Sequence, residues 1–194
     1  MLHDIVFCGF GGQGVLFGSQ LLAYAAMEEG LHVTWFPSYG PEMRGGTANC
    51  TVIISDEEIG APMVRHPSLV VALNQPSVEK YAPLVASGGT LIYNASLAHQ
   101  APDRPGARLV PVPASDIAAE LGNAKLLNMV MLGALLCVTA VLPVEAVERA
   151  LEGHLPARRR ELLELNKRAL RLGVAAVHPQ FRLAAFPVSA APLV

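Results

Sequence analysis

The chain has 194 residues, a length typical of a single domain. Hydrophobic residues make up 52% of it and charged residues 15%, with a formal net charge of −2. This composition lacks the basic surface of a nucleic-acid-binding protein. It favours a large buried core, or a core together with buried subunit contacts.

The cysteines and the N-terminal residues indicate a cytoplasmic protein. Cys8, Cys50 and Cys137 share no Cys-x-x-Cys spacing, so we expect reduced, buried thiols. An iron–sulfur cluster would need four ligands, which three cysteines cannot supply. The apolar run at residues 5–8 follows no basic segment and is too short for a signal peptide.

The first elements in chain order are a strand, a helix and a second strand. Residues 5–7 form an apolar run that ends in glycines, which predicts a buried strand and a tight turn. A helical pattern follows over residues 12–29, and Gly30 is expected to stop it. Residues 32–36 predict the second strand. This β-α-β order favours a parallel sheet with a right-handed crossover.

The rest of the chain predicts further strands and then mainly helices. Strands are predicted at residues 50–54, 69–73, 90–93 and 108–112. Helices are predicted at residues 76–85, 116–121 (with Ser115 as the N-cap), 126–142, 144–153 and 158–172. The order predicts an α/β fold, with a mostly parallel sheet flanked by helices and a helical C-terminal part. One domain is expected over residues 1–178, followed by an extended C-terminal tail at 179–194.

The segment 126–142 is the one candidate for a membrane span, because it carries no charged residue. It is shorter than the roughly 20 apolar residues that a span needs. It is therefore interpreted as a buried core or interface helix. Asn128, which lies inside this segment, is expected to bond to a nearby backbone group.

A glycine-rich turn joins the first strand to the first helix. Residues 9–14 read Gly-Phe-Gly-Gly-Gln-Gly, a Gly-x-Gly-x-x-Gly pattern that provides a tight turn and free N–H groups for an anion. A nicotinamide dinucleotide is disfavoured, because the second strand ends without the acidic residue that holds the ribose. The turn therefore either has only a structural role, or faces a phosphate-bearing group or a partner subunit.

A second motif follows the second strand. Residues 39–46 read Tyr-Gly-Pro-Glu-Met-Arg-Gly-Gly, so proline and glycines shape a loop that carries an aromatic, an acidic and a basic side chain. Arg44, beside two glycines, can approach an anion with its bidentate guanidinium. Alternatively, Glu42 and Arg44 pair with each other or with helix ends. In a doubly wound sheet the loops after the first two strands are neighbours, so both motifs are predicted at one edge of the sheet.

Three later motifs follow these two along the chain. The later ones are Ala-Leu-Asn-Gln-Pro at 72–76, Gly-Gly-Thr-Leu-Ile-Tyr-Asn at 88–94 and Asn-Met-Val-Met-Leu-Gly at 128–133. Over about residues 3–175 the sequence resembles the γ subunit of 2-oxoacid:ferredoxin oxidoreductases. The version at residues 39–50 is most similar to the 2-oxoglutarate type, and the pyruvate and indolepyruvate types are alternatives within the family.

The resemblance implies a Rossmann-like fold and a role within a larger enzyme. Members decarboxylate a 2-oxoacid on thiamine diphosphate, pass electrons through iron–sulfur clusters to ferredoxin, and transfer the acyl group to coenzyme A. The 2-oxoglutarate type makes succinyl-CoA and CO2. Thiamine diphosphate, Mg²⁺ and the clusters are expected on α, β and ferredoxin-like δ partner subunits, and no cofactor is expected on this chain alone.

The same resemblance suggests an edge that contacts coenzyme A or a partner subunit, with no catalytic residue and no metal ligand. Its candidate residues are Gly11, Gly12, Gln13, Gly14, Tyr39, Glu42, Arg44, Gly45 and Gly46. The isolated chain is expected to be inactive and to form a homodimer through the surface that its partners cover. The alternative from another class is a free-standing Rossmann-type module, monomeric and able to bind a nucleotide unaided.

Overall fold

A six-stranded sheet organises the chain in the computed structural model, which describes residues 1–39, 47–100 and 102–182. The strands are β1 (Leu2–Phe10), β2 (His32–Tyr39), β3 (Thr47–Ser55), β4 (Leu69–Ala72), β5 (Thr90–Asn94) and β6 (Arg108–Val112). The α-helices are α1 (Val15–Glu28), α2 (Gln75–Tyr81), α3 (Ala114–Glu120), α4 (Leu127–Thr139), α5 (Val144–His154) and α6 (Leu163–Ala176). A short 3-10 turn follows α2 at Ala82–Leu84, and another precedes α6 at Ala157–Leu162.

The sheet is mostly parallel, as predicted, and its order is β2-β3-β1-β4-β5-β6. The pairs β1–β4, β4–β5 and β5–β6 are parallel, whereas β3 is antiparallel to both of its neighbours. Strands β1 and β2 run in the same direction, since each pairs antiparallel with β3, so the predicted β-α-β unit does join parallel strands. They are not neighbours, because β3 lies between them. Residues 40–46 are too few for the crossover that parallel neighbours require, so β3 returns antiparallel to β2.

The end of α1 follows the sequence prediction closely. Gly30 has a φ of 79°, and its N–H donates to the carbonyl oxygen of Met27 at 3.0 Å. The N–H of Leu31 donates to the carbonyl oxygen of Ala26, also at 3.0 Å. This pair of bonds closes a helix with a glycine in the left-handed conformation, so Gly30 stops α1 as expected.

Alternating residues of β1 enter two separate cores. Ile5 and Phe7 belong to the larger core, which the sheet forms with α1, α4, α5 and α6. Val6 and Cys8 belong to a smaller core on the other face, which α2 covers. The period-2 alternation of a strand produces this division directly.

Helix α4 lies at the centre of the larger core. Every residue from Leu127 to Val138 is buried, and α4 contacts β5, α1, α3 and α6. The interpretation of segment 126–142 as a buried helix is therefore confirmed. Among the described helices, none combines the length and apolar character that crossing a bilayer requires.

The contact between α4 and α6 depends on two glycines. A Cβ atom added to Gly133 would overlap the carbonyl oxygen of Leu170, and one added to Gly173 would overlap that of Val130. The two helix backbones therefore touch. Close to this contact, Arg171 of α6 donates from Nε and from a terminal guanidinium nitrogen to the buried carboxylate of Glu148 on α5, at 2.7 and 2.9 Å.

We expect Gly133→Ala and Gly173→Ala each to lower the free energy of unfolding by about 2 kcal/mol or more, because the added methyl group must force the helix backbones apart. Urea unfolding of the full chain, followed by circular dichroism, measures the change. The matched control is Gly153→Ala in α5, where an added Cβ meets no atom within 4 Å.

The control should be neutral or more stable by up to about 1 kcal/mol, since alanine is the better helix former. If Gly133→Ala and Gly153→Ala change the stability equally, the close contact between α4 and α6 is not a determinant of stability.

Candidate functional site

One edge of the sheet collects the ends of β1, β4, β5 and β6, together with the end of β2 and the start of β3. In the register, Phe10 at the end of β1 pairs with Thr47, and Tyr39 at the end of β2 pairs with Ala48. The glycine turn after β1 and the two strand ends that flank residues 40–46 thus lie at this edge. We call this end of the sheet, where the parallel strands finish, the carboxyl edge. The name does not refer to the outer strands β2 and β6.

The predicted proximity of the two motifs therefore has a different cause from the expected one. It comes from the antiparallel strand β3 and not from a doubly wound arrangement. Tyr39 is the last residue of β2. Glu42, Arg44, Gly45 and Gly46 lie outside the described residues, so their contact with the glycine turn stays a prediction.

The glycine turn is tight and ends in a helix without a side-chain cap. The N–H of Gln13 donates to the carbonyl oxygen of Phe10 at 3.1 Å. Gly12 and Gly14 have φ values of 99° and 80°, which glycine adopts more easily than other residues. Helix α1 has Gly14 as N-cap and no acidic residue in its first turn. The turn therefore presents donors and no negative charge.

The side chain of Gln13 folds back into this turn. Its Oε1 accepts hydrogen bonds from the backbone N–H of Phe10 at 2.7 Å and from Nδ2 of Asn74 at 2.8 Å. A Cβ atom on Gly9 would lie 2.8 Å from the same oxygen, so a glycine is needed there to make room for the amide. The first glycine of the motif thus accommodates the Gln13 side chain.

Asn74, which was not among the predicted site residues, links this turn to the end of the next strand. It is 4% exposed and follows β4. Its Oδ1 accepts from the N–H of Ser77 at 2.9 Å and so caps α2. An asparagine directly before a Gln-Pro helix start is a recognisable N-cap signal, but its link to Gln13 depends on the sheet order.

A second buried asparagine, Asn94 at the end of β5, continues the polar connections along the edge. Its Nδ2 donates to the carbonyl oxygen of Leu73 at 3.2 Å and to Oγ of Ser115 at 2.8 Å. Ser115 is therefore not the helix cap that the sequence predicts. Helix α3 begins earlier, with Pro113 at its N-cap position, because Asn94 binds both the hydroxyl and the N–H of Ser115.

Asn128 reaches the same turn from α4. Its Nδ2 donates to the carbonyl oxygen of Gly14 at 3.2 Å, which confirms that it bonds to a nearby backbone group. A Cβ atom on Gly14 would overlap this amide. Helix α4 thus fixes the position of the turn through Asn128.

The sheet order adds a reason against a nicotinamide dinucleotide. In the dinucleotide-binding fold, the acidic residue that holds the ribose ends the strand beside the first one. Here the strand beside β1 on that side is β3, which starts at the carboxyl edge with Thr47 and Ala48. Neither the neighbouring strand nor the end of β2 places a carboxylate there among the described residues.

Comparison with known proteins identifies the family. A family model described as pyruvate ferredoxin/flavodoxin oxidoreductase matches residues 4–176. The chain belongs to this family. It is 42% identical over 166 residues to ketoisovalerate oxidoreductase subunit VorA of Methanothermobacter thermautotrophicus, an alignment that covers 85% of this chain and 34% of that protein.

A shorter relative of the family matches over most of its length. The chain is 37% identical over 163 residues to 2-oxoglutarate synthase subunit KorC of Methanothermobacter marburgensis, covering 80% of this chain and 88% of KorC. By contrast, the chain spans only about a third of the VorA relatives, 34% and 27% of their lengths. Because these family members are named for different oxoacids, the comparison defines the subunit type and not the oxoacid.

Solved structures of the family support the same subunit type. The gamma subunit of a keto/oxoacid ferredoxin oxidoreductase from Geobacter sulfurreducens matches with a TM-score of 0.79 at 30% identity, over 92% of this chain and 99% of that one. The 2-oxoglutarate:ferredoxin oxidoreductase of Magnetococcus marinus matches with a TM-score of 0.82 at 26% identity, over 94% of this chain and 33% of that one. Oxidoreductase gamma subunits therefore share this fold.

The cysteines of this family member do not fit a shared iron–sulfur cluster. Cys8 lies in the smaller core, whereas Cys50 and Cys137 lie in the larger one, and all three are buried free thiols. Burial raises the pKa of Cys50 to about 11 and raises the pKa values of Cys8 and Cys137. Burial thus disfavours the thiolate, which is the form in which cysteine binds a cluster, and the two cores hold the three thiols apart.

The opposite edge of the sheet has a cavity of different character. It has a volume of about 520 Å³ and lies at the start of β1 and the end of β3. Asp4, Asp56, Glu57 and Glu58 contribute to its lining. These carboxylates disfavour a phosphate-bearing ligand, so the cavity is not a second version of the carboxyl edge.

We expect Gly14→Ala to lower the free energy of unfolding by roughly 2–4 kcal/mol, because left-handed strain adds to the overlap with Asn128. The matched control is Gly12→Ala, which also has a positive φ but meets no atom within 4 Å and should cost only about 1 kcal/mol. Urea unfolding of the full chain measures both.

The double variant Gly14→Ala with Asn128→Ala tests the cause. It should recover part of the stability lost by Gly14→Ala, since the overlapping amide is gone. If the two glycine substitutions cost the same and the double variant recovers nothing, the turn does not rest on the α4 amide.

Proposed function

We propose that the chain acts as the γ subunit of a multi-subunit 2-oxoglutarate:ferredoxin oxidoreductase in the cytoplasm. The complete enzyme converts 2-oxoglutarate, coenzyme A and oxidised ferredoxin into succinyl-CoA, CO2 and reduced ferredoxin. Its partners in this proposal are α and β subunits that carry thiamine diphosphate and Mg²⁺, and a ferredoxin-like δ subunit with iron–sulfur clusters. In this proposal residues 1–178 are the γ-type domain and 179–194 the C-terminal tail, of which residues 183–194 lie outside the described residues.

The observation that carries this proposal is the near full-length match to KorC. The chain covers 88% of the Methanothermobacter marburgensis protein and 92% of the Methanocaldococcus jannaschii one, at 37% and 32% identity. By contrast, the chain covers only 34% of the VorA relative to which it is 42% identical. The Magnetococcus marinus structure, solved with 2-oxoglutarate, coenzyme A and succinyl-CoA bound, supports the same reaction class.

Ketoisovalerate is the second candidate substrate. The identity to VorA is higher, at 42% over 85% of this chain. A pyruvate type has support of the same kind, because the chain is 33% identical to pyruvate synthase subunit PorC of Thermotoga maritima and covers 92% of it. The highest identity among these near full-length relatives, 37%, is to a KorC. Substrate contacts on partner chains would weaken any relation between the sequence of this chain and the oxoacid.

The carboxyl edge is the part of the chain that we assign to coenzyme A. The first turn of α1 has no side-chain cap and no acidic residue, and a helix start of this kind favours an anion. The sequence places Arg44 in the segment that joins the ends of β2 and β3 at this edge. The competing role for the same residues is assembly, in which they are covered by the α subunit.

Co-purification from the native cytosol tests the subunit role and the oxoacid together. We expect α, β and δ partners to accompany the chain, and the complex to reduce ferredoxin with 2-oxoglutarate and coenzyme A at a higher kcat/KM than with ketoisovalerate, pyruvate or indolepyruvate. A higher kcat/KM for ketoisovalerate would replace the substrate assignment. A chain that emerges alone and binds a nucleotide unaided would support the free-standing module.

Arg44→Ala separates coenzyme A binding from assembly. In the intact complex we expect the KM for coenzyme A to rise roughly tenfold, the size of one lost charge-assisted hydrogen bond. Arg65→Ala is the control, because Arg65 is an exposed arginine in the connection between β3 and β4, at the opposite edge. A fall in complex recovery with an unchanged KM would favour the assembly role.

A further inference from the structure

We propose that Asn74 is a positioning residue for Gln13, and that the Gln13 side chain donates from Nε2 to a phosphate oxygen of coenzyme A. This inference rests on the proposed function, since it deepens the role of the carboxyl edge. It assigns one specific donor to the turn and names the buried residue that holds that donor in place.

The orientation of the Gln13 amide follows from its oxygen. Oε1 accepts from two donors, the N–H of Phe10 at 2.7 Å and Nδ2 of Asn74 at 2.8 Å. Reversing the amide would turn its NH2 group toward both donors and lose both hydrogen bonds, at a cost of about 1 kcal/mol for each. The oxygen is therefore directed toward Phe10 and Asn74, and Nε2 is directed away from them.

Asn74 cannot reverse either, because its own oxygen is needed at α2. Oδ1 accepts from the N–H of Ser77 at 2.9 Å, and the residue is 4% exposed. A reversed amide would place NH2 against this N–H and leave the start of α2 uncapped. The start of α2 thus fixes Asn74, and Asn74 fixes Gln13.

Among the described residues, the Nε2 group of Gln13 is a free hydrogen-bond donor close to other donors. Its Nε2 makes no hydrogen bond to another described residue, and a glutamine amide nitrogen has two N–H groups. Gln13 directly precedes Gly14, the N-cap of α1, and the uncapped first turn of this helix also favours an anion. Gly12, with open space above it, gives a ligand room to approach. A phosphate oxygen supplies the acceptor that this arrangement lacks.

Gln13→Glu tests the donor while leaving the fold contacts in place. A carboxylate oxygen can accept from Phe10 and Asn74 as Oε1 does, but the outward NH2 becomes a negative oxygen. In the purified complex we expect the KM for coenzyme A to rise at least roughly tenfold, with kcat and complex recovery unchanged. The rise should shrink as ionic strength increases, since salt screens repulsion between carboxylate and phosphate.

Gln20→Glu is the matched control. It makes the same chemical change in α1, where the amide of Gln20 donates to the hydroxyl of Tyr24 at 3.1 Å. We expect it to leave the KM for coenzyme A unchanged.

Asn74→Asp tests the positioning role. Aspartate still caps α2, but it places an acceptor against the oxygen of Gln13 and so disfavours the inward orientation. We expect the KM for coenzyme A to rise severalfold. In a Gln13→Ala background the same substitution should have no further effect on the KM, because the side chain that it positions is absent.

Several results would overturn the inference. An unchanged KM in an active Gln13→Glu complex would remove Gln13 from coenzyme A binding, and a variant that fails to assemble would show that its side chain serves the interface instead. Additive effects of Asn74→Asp and Gln13→Ala would remove the positioning role. These failures differ from failure of the proposed function, in which the wild-type complex itself shows no coenzyme A-dependent reduction of ferredoxin.

Discussion

The complete burial of α4 is the constraint on which the other elements depend. A helix without charged residues must be covered on every side, and β5, α1, α3 and α6 provide the cover. The glycines at positions 133 and 173 let α6 approach closely enough to cover one side of α4. Because α4 is held so firmly, Asn128 in its first turn is a rigid support for the glycine turn.

Amide side chains connect this core to the carboxyl edge. Gln13, Asn74, Asn94 and Asn128 each bond to the backbone or side chain of a different element, so the strand ends and helix starts are fixed relative to one another. Neutral amides can do this without a buried charge, which would carry a larger desolvation cost. The glycine turn can therefore be rigid without an acidic residue in the first turn of α1 that would repel a phosphate.

Local patterns predicted most of the fold, and the failures concern contacts distant in sequence. Gly30 and the buried helix at 126–142 were predictable because a helix stop and an uncharged segment are local signals. The direction of β3 was not, since an apolar run carries no information on which neighbour it joins. The Ser115 cap failed because Asn94, remote in sequence, binds the same groups. The link from Asn74 to Gln13 was hidden for the same reason.

The position of β1 has a consequence for how the chain folds. Strands β2 and β3 are consecutive and pair with each other, while β4, β5 and β6 form a parallel group of their own. Strand β1 alone joins the two groups, with β3 on one side and β4 on the other. Its insertion closes long chain loops, a step that loses entropy before it gains contacts. We therefore expect two separately nucleating halves, and a folding rate set by the strand that unites them.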